Sequence, residues 1–376
     1  MKAQILLVKT GLGKGGAEKM LVDTLRHFDY DRFDVTVLTA DPEGYYRSLL
    51  DPRCRVVEMR DIFHDFVLRN LFYNFPFLRR PLLSLNAKRA RKALGNSRFQ
   101  TAVSYLEGQS ATLHHGILDL AGRNVTWVHA DFLRNRWSLR YFADAEDEAH
   151  FYGQVDEVVF VSEEARRQFA KCLPLRVPSR VLHNFFDAEE IAAKACAQHV
   201  EKRRPTLVSV GRLTPPKRFD RLVEAARLLR DRGLDVDVWV LGDGELKKDL
   251  EDLVRRSGLQ DNVRFPGFTS NPYPYVQSAD IFVSSSDSEG FPLAVGEAMC
   301  LGKPIVATAV TGTKEMLAGG AGCLVAPSAE SIADACQALL TDEEAGKSLG
   351  RRAFLAARDR FLPDGYMRSF YEVLLP

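Results

Sequence analysis

The stretch that decides the fold is IFVSSSDSEGFPLAVGE at positions 281–297. Its apolar start predicts a short, buried β-strand. The remainder predicts a helix that Asp287 or Ser288 caps, with Pro292 in the first helical turn, where its missing N–H leaves no hydrogen bond unmade. A strand that runs directly into a helix is the repeating unit of α/β proteins with parallel sheets.

The turn between this strand and helix has the features of an anion site. Amides at the helix N-terminus, including those of Gly290 and Phe291, are expected to point beyond the strand end, where they would bind a phosphate. Glu289 lies just before the helix and Glu297 roughly two turns into it, and both carboxylates can accept hydrogen bonds from hydroxyl groups. The stretch therefore predicts a ligand with both phosphate and sugar hydroxyls, although two solvated glutamates on an amphipathic helix would give the same pattern.

Composition narrows the class of protein. A chain of 376 residues favours two domains, and 46% hydrophobic with 27% charged residues is typical of a globular protein. The net charge of +1 gives no general case for nucleic-acid binding, and no apolar run reaches the ~20 residues that a bilayer requires. We expect no signal peptide ahead of the strand-like residues 5–8, and six scattered cysteines without a C-x-x-C pair fit reduced thiols in the cytoplasm.

A glycine-rich turn follows the first predicted strand. Residues 11–16 read GLGKGG and lead directly into a helical pattern, an arrangement that brings backbone close to a phosphate. Gly11, Gly13 and Gly16 match the dinucleotide fingerprint G-x-G-x-x-G, with Asp41 after the next strand as the ribose-binding acid. The turn does not match a P-loop, because no Gly-Lys-Ser/Thr closes it. A purely structural turn is the remaining interpretation of these residues.

Residues 62–98 differ in amino-acid composition from the rest of the chain. Aromatic residues and leucines are interleaved there with basic residues, and Asp65 is the only acid. Pro76 and Pro81 are predicted to interrupt any long helix. One interpretation is that the apolar residues pack inside the domain and the basic residues form a solvated face. The other is a surface that contacts an anionic membrane, and the protein would then be peripheral on the inner face of the cell membrane.

Polar residues also follow other predicted strands. A strand that ends in His129 would place its imidazole at the carboxyl edge of a parallel sheet, where open α/β folds bind ligands, although a single histidine is more often structural. In the second half of the chain, Arg212 ends a strand and Lys217 follows it. Together they would hold a diphosphate, arginine through its forked guanidinium and lysine as a point charge. The alternative is a loop with two solvated cations.

Several motifs resemble those of the family-4 retaining glycosyltransferases, also called glycosyl transferases group 1. They are the E-x7-E pair of Glu289 and Glu297 around Gly290-Phe291-Pro292, the loop Gly15-Gly16-Ala17-Glu18, the strand end Trp127-Val128-His129, and Val210-Gly211-Arg212-Leu213 with Lys217 beyond it. The chain departs from the family at residues 311–315, TGTKE, where many relatives have a Gly-Gly-x-x-Glu loop. The resemblance covers nearly the whole chain.

The resemblance implies a GT-B fold, in which two doubly wound, Rossmann-like α/β domains face a central cleft. Strands that alternate with helices in two series favour the same architecture. We expect an acceptor-binding domain over residues 1–185, a nucleotide-sugar-binding domain over residues 186–355, and a C-terminal helix over residues 356–376 that packs back on the first domain.

The resemblance also implies a reaction. It is the retaining transfer of a hexose or N-acetylhexosamine from a nucleotide sugar, with a UDP-sugar as the expected donor, to a glycan or lipid-linked glycan in bacterial-type surface polysaccharide assembly. No cofactor and no metal are expected, because cations and helix amides would stabilise the leaving diphosphate.

The resemblance assigns roles to individual residues. Glu297 would bind the ribose, Glu289 would contact the donor sugar, and His129 would lie beside the 6-position of that sugar. The expected catalytic residues are His129, Glu289, Arg212 and Lys217, and the expected donor-binding residues are Gly15, Gly16, Gly211, Arg212, Lys217, Gly290, Phe291, Pro292, Leu293 and Glu297.

Other functions would use some of the same features. A GT-B sugar-nucleotide epimerase would use the same residues without an acceptor. An NAD-dependent dehydrogenase would use the glycine-rich turn and Asp41, but it leaves the second half of the chain unexplained. A non-catalytic sugar-nucleotide sensor would bind the donor without turning it over.

Overall fold

The short apolar runs of the sequence form the strands of two parallel sheets in the computed structural model, which describes residues 2–134 and 136–375. The chain divides into two units, one comprising Met1–His183 with Asp364–Pro376 and the other Asn184–Pro363. Each unit is an α/β, Rossmann-like domain in which helices connect successive parallel strands. The predicted class, doubly wound α/β in two series, is confirmed.

The first unit contains a seven-stranded sheet. Its strands are β1 (Ala3–Val8), β2 (Phe33–Thr39), β3 (Arg55–Glu58), β4 (Phe99–Ser104), β5 (Ala121–Val128), β6 (Glu157–Phe160) and β7 (Ser179–Val181). Its helices, in chain order, are α1 (Gly16–Arg26), α2 (Phe66–Asn74), α3 (Arg79–Leu94), α4 (Gln109–His115), α5 (Ala145–Gln154) and α6 (Glu163–Cys172). The strand order is β3-β2-β1-β4-β5-β6-β7.

The second unit contains a six-stranded sheet. Its strands are β8 (Thr206–Val210), β9 (Asp237–Leu241), β10 (Val263–Gly267), β11 (Ile281–Ser284), β12 (Ile305–Thr308) and β13 (Cys323–Val325). Its helices are α7 (Ala188–Ala195), α8 (Phe219–Asp231), α9 (Lys247–Arg256), α10 (Tyr273–Ser278), α11 (Leu293–Cys300), α12 (Thr311–Met316), α13 (Ala329–Thr341) and α14 (Glu343–Arg360). The strand order is β10-β9-β8-β11-β12-β13.

The last helix, α15 (Pro363–Leu374), packs in the first unit. Its Phe370 is fully buried, with its ring centroid 5.3 Å from that of Trp127. The hydroxyls of Tyr366 and Tyr105 lie 3.0 Å apart, and the hydroxyl of Thr101 donates to the carbonyl oxygen of Leu374 at 2.6 Å. The end of the chain therefore completes the core beside β4 and β5.

Both sheets have a point where the strand order reverses, between β1 and β4 in the first and between β8 and β11 in the second. Open α/β sheets bind ligands in the crevice outside the carboxyl ends of the strands at such a point. The glycine-rich turn follows β1, Arg212 and Lys217 follow β8, and Glu289 follows β11. The topology therefore positions these predicted site residues at the two switch points.

Three local expectations differ from the structure. Sequence reasoning missed β3, because this short strand carries Arg55 and Glu58 with exposed side chains at the sheet edge. Pro81 does not interrupt a helix, since it lies in the first turn of α3, where its missing N–H is tolerated. The segment after β12, expected to be a loop, forms α12 from Thr311. Among the described residues, no helix has both the length and the apolar character needed to cross a membrane.

Candidate functional site

The loops that follow β8 and β11 meet through an ion pair. Lys217 ends a 3₁₀ turn (Pro215–Lys217), and its Nζ donates to Oε1 of Glu289 at 2.6 Å. The hydroxyl of Ser286 donates to the same oxygen at 2.6 Å. Because the Glu289 side chain is only 11% exposed, the pair is shielded from solvent and is stronger than a surface ion pair. The structure therefore brings together two of the predicted catalytic residues.

The predicted capping of the helix by Asp287 or Ser288 is wrong. The helix α11 begins at Leu293, and Pro292 occupies the position before it without a side-chain cap. Asp287 instead accepts hydrogen bonds from Arg218 at 2.8 Å and from Arg221 at 2.7 Å. Burial alone would raise the pKa of the Asp287 carboxyl, but the hydrogen bonds and charges of the two arginines outweigh it and lower the pKa.

The later start of α11 changes which amides form its N-terminus. The amides of Val295 and Gly296 donate to the carbonyl oxygen of Pro292 at 3.2 and 3.3 Å. The amides of Leu293 and Ala294, ahead of them in the first turn, have no hydrogen-bond partner among the described residues. Gly290 and Phe291 belong to the preceding loop. The Phe291 side chain is 6% exposed, and its ring centroid lies 5.4 Å from that of Phe361, so this side chain has a packing role.

Glu297 lies just over one turn into α11 rather than two, because the helix begins at Leu293. Its side chain is buried, and Oε1 accepts a hydrogen bond from the hydroxyl of Tyr273 at 3.2 Å. The hydroxyl of Tyr273 therefore helps to orient the buried carboxylate of Glu297.

Arg212 and Gly211 lie at the end of β8. The Arg212 side chain is exposed and, within the described part of the chain, makes no hydrogen bond or ion pair. The aliphatic part of Lys217 passes beside Gly211, with Cε 3.5 Å from the position that a Cβ would occupy there. Arg212 therefore adds an accessible cation at the end of the strand that Lys217 follows.

Two glycines that sequence reasoning did not single out allow this edge to form. A Cβ on Gly242 would lie 1.9 Å from the carbonyl oxygen of Gly211, and the φ of Gly242 is +141°. A Cβ on Gly312 would lie 2.4 Å from the carbonyl oxygen of Gly290. The loop after β9 and the first turn of α12 therefore approach the predicted site through backbone contacts that only glycine permits.

In the first unit, a buried lysine holds the glycine-rich turn. Lys9 is 1% exposed, and its Nζ donates to the carbonyl oxygen of Gly11 and to Oε1 of Glu18, both at 2.6 Å. Glu18 is the acid of the Gly-Gly-Ala-Glu loop, whose Gly15 and Gly16 were predicted to bind the donor. Oδ2 of Asp41 accepts from the amide of Leu12 at 2.9 Å, so Asp41 helps to fix the turn.

His129 follows β5 and is held through its backbone. Its amide donates to Oε2 of Glu107 at 2.8 Å, and Oε1 of Glu107 accepts from the indole of Trp137 at 3.0 Å. The imidazole Nε2 is buried and has no hydrogen-bond partner among the described residues. Burial, and secondarily the charge of Lys9, lower the pKa of His129 to about 3, so the ring is neutral at physiological pH.

Sequence reasoning missed Lys9, Glu107 and Ser286 as parts of the site. Lys9 had a signal, because a lysine directly after four apolar strand residues at a sheet's carboxyl edge needs a buried partner. Glu107 lies three residues after the end of β4, at the same edge of the sheet. Across residues 2–134 and 136–375, no three His, Cys, Asp or Glu side chains lie close enough together to hold a metal ion.

Comparisons with curated proteins place the chain among glycosyltransferases. It is 27% identical to the alpha-D-kanosaminyltransferase of Streptomyces kanamyceticus over 55% of this chain and 56% of that protein. It is also 27% identical to the lipopolysaccharide core biosynthesis glycosyltransferase LpsE of Rhizobium meliloti, over 52% and 57%. The chain spans about half the length of the curated relatives it matches.

Solved structures with a similar fold can be superposed on almost the whole chain. The Anabaena protein Alr3699/HepE in complex with UDP-glucose superposes with a TM-score of 0.77, 19% identity and 99% coverage of both chains. Sucrose-phosphate synthase from Thermosynechococcus elongatus superposes with a TM-score of 0.81 and 17% identity, covering 99% of this chain and 98% of that one. At these identities the likeness establishes the fold, which is GT-B.

Family models account for both halves of the sequence. The model for glycosyltransferase family 4 matches residues 14–190, and the model for glycosyl transferases group 1 matches residues 193–355. With two adjoining matches and a GT-B fold, the chain belongs to the family-4 glycosyltransferases, as its four motifs suggested.

Proposed function

We propose that this chain transfers a hexose or N-acetylhexosamine from a UDP-sugar to a glycan or lipid-linked glycan, with retention of the anomeric configuration and without a metal ion. The observation that carries the proposal is the ion pair between Lys217 and Glu289 at the switch point of the second sheet. The pair supports the proposal because an ammonium suits a diphosphate and a carboxylate suits sugar hydroxyls, and a nucleotide sugar carries both groups.

The chemistry of the proposed reaction is the departure of a nucleoside diphosphate from the anomeric carbon. Negative charge grows on the leaving oxygen, and preorganised donors that meet it there lower the barrier. Lys217 uses one of its three ammonium protons on Glu289 and keeps two for phosphate oxygens. Arg212 and the N-terminal amides of α11 would supply the remaining positive potential.

Two carboxylates would recognise the hydroxyl groups of the donor. Glu289 would accept from the sugar, and Glu297, already oriented by Tyr273, would accept from the ribose. In the first unit, the neutral His129 has a buried Nε2 that would exchange a hydrogen bond with a sugar hydroxyl. No residue is proposed as a nucleophile. The acceptor hydroxyl would attack from the face that the diphosphate leaves, and its proton would pass to the departing phosphate oxygen.

Relatives support the donor and acceptor classes of the proposal. HepE was crystallised with UDP-glucose, and LpsE acts in lipopolysaccharide core biosynthesis. A Campylobacter jejuni relative, 31% identical over 34% of this chain, is an N-acetylgalactosaminyltransferase whose acceptor is a diphospho-undecaprenol glycan. We accordingly propose a cytoplasmic protein, peripheral on the membrane, that contacts an anionic membrane surface through residues 62–98 during surface polysaccharide assembly.

Saturation-transfer NMR with UDP-, GDP- and ADP-sugars, in the presence of EDTA, tests the proposal. We expect metal-independent signals from the UDP-sugar that Arg212→Ala and Glu297→Ala abolish and that the exposed control Arg351→Ala leaves unchanged. Binding of NADH in place of every nucleotide sugar would overturn it. Isomerisation of the UDP-sugar without an acceptor would instead identify an epimerase.

A further inference from the structure

Five large apolar side chains stand exposed on one segment of the first unit. They are Phe66 (68% exposed), Val67 (62%), Tyr73 (37%), Phe75 (45%) and Phe77 (75%), and we refer to them as the apolar tip. Isolated exposed apolar residues are ordinary, but a cluster of three phenylalanines and two further large side chains within 12 positions marks an interaction surface.

The backbone of the tip is fixed, so its side chains are exposed by the fold and not by a frayed end. The helix α2 buries Phe72 completely, and Asp65 caps its start by accepting from the amides of Val67 and Leu68. The guanidinium of Arg79 donates to the carbonyl oxygens of Phe72 at 3.2 Å and Ala143 at 3.0 Å. One side of α2 is buried, so the opposite side faces solvent, as does Phe77 in the segment that follows the helix.

Basic residues accompany the tip. Positions 66–98 contain no acid and eight cations: Arg69, Arg79, Arg80, Lys88, Arg89, Arg91, Lys92 and Arg98. Within the described part of the chain, Arg69, Lys88, Lys92 and Arg98 form no ion pair. Arg80 pairs with Asp144 at 3.3 Å, where both side chains are more than half exposed and the pair is weak. The exposed stripe of α3 therefore begins at Arg80, three residues after Phe77, and is positively charged.

We propose that the apolar tip inserts into the interfacial region of an anionic phospholipid bilayer while the cations of α2 and α3 lie on the headgroups. Exposed aromatic residues next to unpaired basic residues suit this environment, since aromatic rings favour the interface and anionic lipids attract the cations. The inference deepens the proposed function, on which it rests for the view that the acceptor is carried in the membrane.

The tip is also connected to the carboxyl edge of the first sheet. The buried Asp61 accepts a hydrogen bond from Gln109, which opens α4, and from His64 at 2.7 Å. The amide of Ile62 donates to Asn86 of α3 at 3.1 Å. Gln109 lies two residues after Glu107, the residue that holds His129. The segment that leads into the tip is therefore fixed to the same edge of the first sheet that carries His129.

Vesicle co-sedimentation tests the inference. We expect the full chain to sediment with vesicles of phosphatidylcholine mixed with phosphatidylglycerol, but not with phosphatidylcholine alone. Phe66→Ser and Phe77→Ser should each weaken binding by about tenfold, and Arg69→Gln with Lys88→Gln should weaken it most at low salt. The matched control is Leu355→Ser in α14, which removes a side chain that is 55% exposed in the second unit and should have no effect.

A second measurement reports on insertion itself. In Phe77→Trp, tryptophan emission should shift to shorter wavelength on addition of the anionic vesicles, whereas Leu355→Trp should not respond. UDP binding in solution, measured on the same variants, should stay unchanged, which separates failure of this inference from failure of the proposed function. The inference is overturned if the wild-type chain ignores anionic vesicles, or if it self-associates through the tip and the phenylalanine substitutions only abolish that self-association.

Discussion

Lys217 and Glu289 are 72 positions apart in the chain, yet Nζ and Oε1 lie 2.6 Å apart. The lysine follows β8 and the glutamate follows β11, the two strands that flank the reversal of strand order in the second sheet. Each side chain fixes the other, and Ser286 fixes the glutamate a second time. A cation whose position is set before a ligand arrives needs no reorganisation during reaction, which is the condition for strong electrostatic catalysis.

Removal of Lys217 should therefore affect the chemical step most. We expect Lys217→Ala to lower kcat for transfer from the UDP-sugar by about 100-fold or more. One preorganised donor to the leaving group typically lowers the activation free energy by roughly 3 kcal/mol, and the substitution removes it. Steady-state kinetics with Lys248→Ala as an exposed-lysine control provides the measurement. A change in kcat of less than about threefold would show that Lys217 does not contact the leaving group.

The buried ion pair of Lys9 and Glu18 should affect folding stability. Lys9→Met leaves the Glu18 carboxylate largely buried without its ammonium, and we expect a loss of about 3 kcal/mol in unfolding free energy. The double variant Lys9→Met with Glu18→Gln should recover most of it, because both charges are then gone. Urea denaturation measures both. Additive losses in the double variant would contradict a coupled pair.

The same Lys9→Met substitution has a spectroscopic consequence. The charge of Lys9 helps to lower the pKa of His129, so its removal should raise that pKa, while burial continues to hold it below the ordinary value. An NMR titration of the His129 ring protons therefore reports on the geometry at the carboxyl edge of the first sheet. An unmoved pKa would mean that Lys9 does not act on the imidazole.

Strands such as β1 and β11 were predictable because parallel strands that are buried on both faces carry continuous apolar runs, as at 5–8 and 281–283. The positions of His129, Arg212, Lys217 and Glu289 at strand ends followed from that pattern together with the resemblance. The partners of these residues did not. Asp287 looked like a helix cap because its actual partners, Arg218 and Arg221, are 69 and 66 positions away.

Close backbone approach is the second kind of information that a single sequence does not carry. Nothing in the chain around Gly242 or Gly312 indicates that another loop passes within contact distance. The reason for glycine at either position becomes apparent only when the fold brings the carbonyl oxygens of Gly211 and Gly290 against them. Their contribution to the site is therefore visible only in three dimensions.

This close approach predicts unequal effects of two alanine substitutions. Gly242 and Gly267 both have positive φ, +141° and +88°, but a Cβ at Gly267 would meet nothing within 4 Å, whereas one at Gly242 would collide with a backbone carbonyl. We expect Gly267→Ala to cost about 1 kcal/mol from backbone strain and Gly242→Ala at least about 3 kcal/mol. Thermal or urea unfolding compares them. Equal losses would mean that the collision is relieved by a small shift.

Buried histidines predict how stability depends on pH. Burial lowers the pKa of His114 to about 4 and that of His129 to about 3, against about 6.5 in the unfolded chain. Below pH ~6.5 the unfolded state therefore takes up protons that the folded state does not, and the unfolding free energy falls as the pH falls. Between pH ~7 and ~5, each histidine should remove about 2 kcal/mol.

The His114 contribution can be isolated by substitution. His114 contacts the hydroxyl of Ser104 and the side-chain oxygen of Asn124, which His114→Gln can still partly satisfy. His64 acts in the opposite sense, because its hydrogen bond to Asp61 raises its pKa, so the comparison must be with the wild-type chain over the same pH range. Urea unfolding at pH ~7 and pH ~5 measures the fall in unfolding free energy between them. This fall should be about 2 kcal/mol smaller in His114→Gln than in the wild type. The exposed control His199→Gln should keep the wild-type loss. An unchanged loss in His114→Gln would show that folding does not lower the pKa of His114.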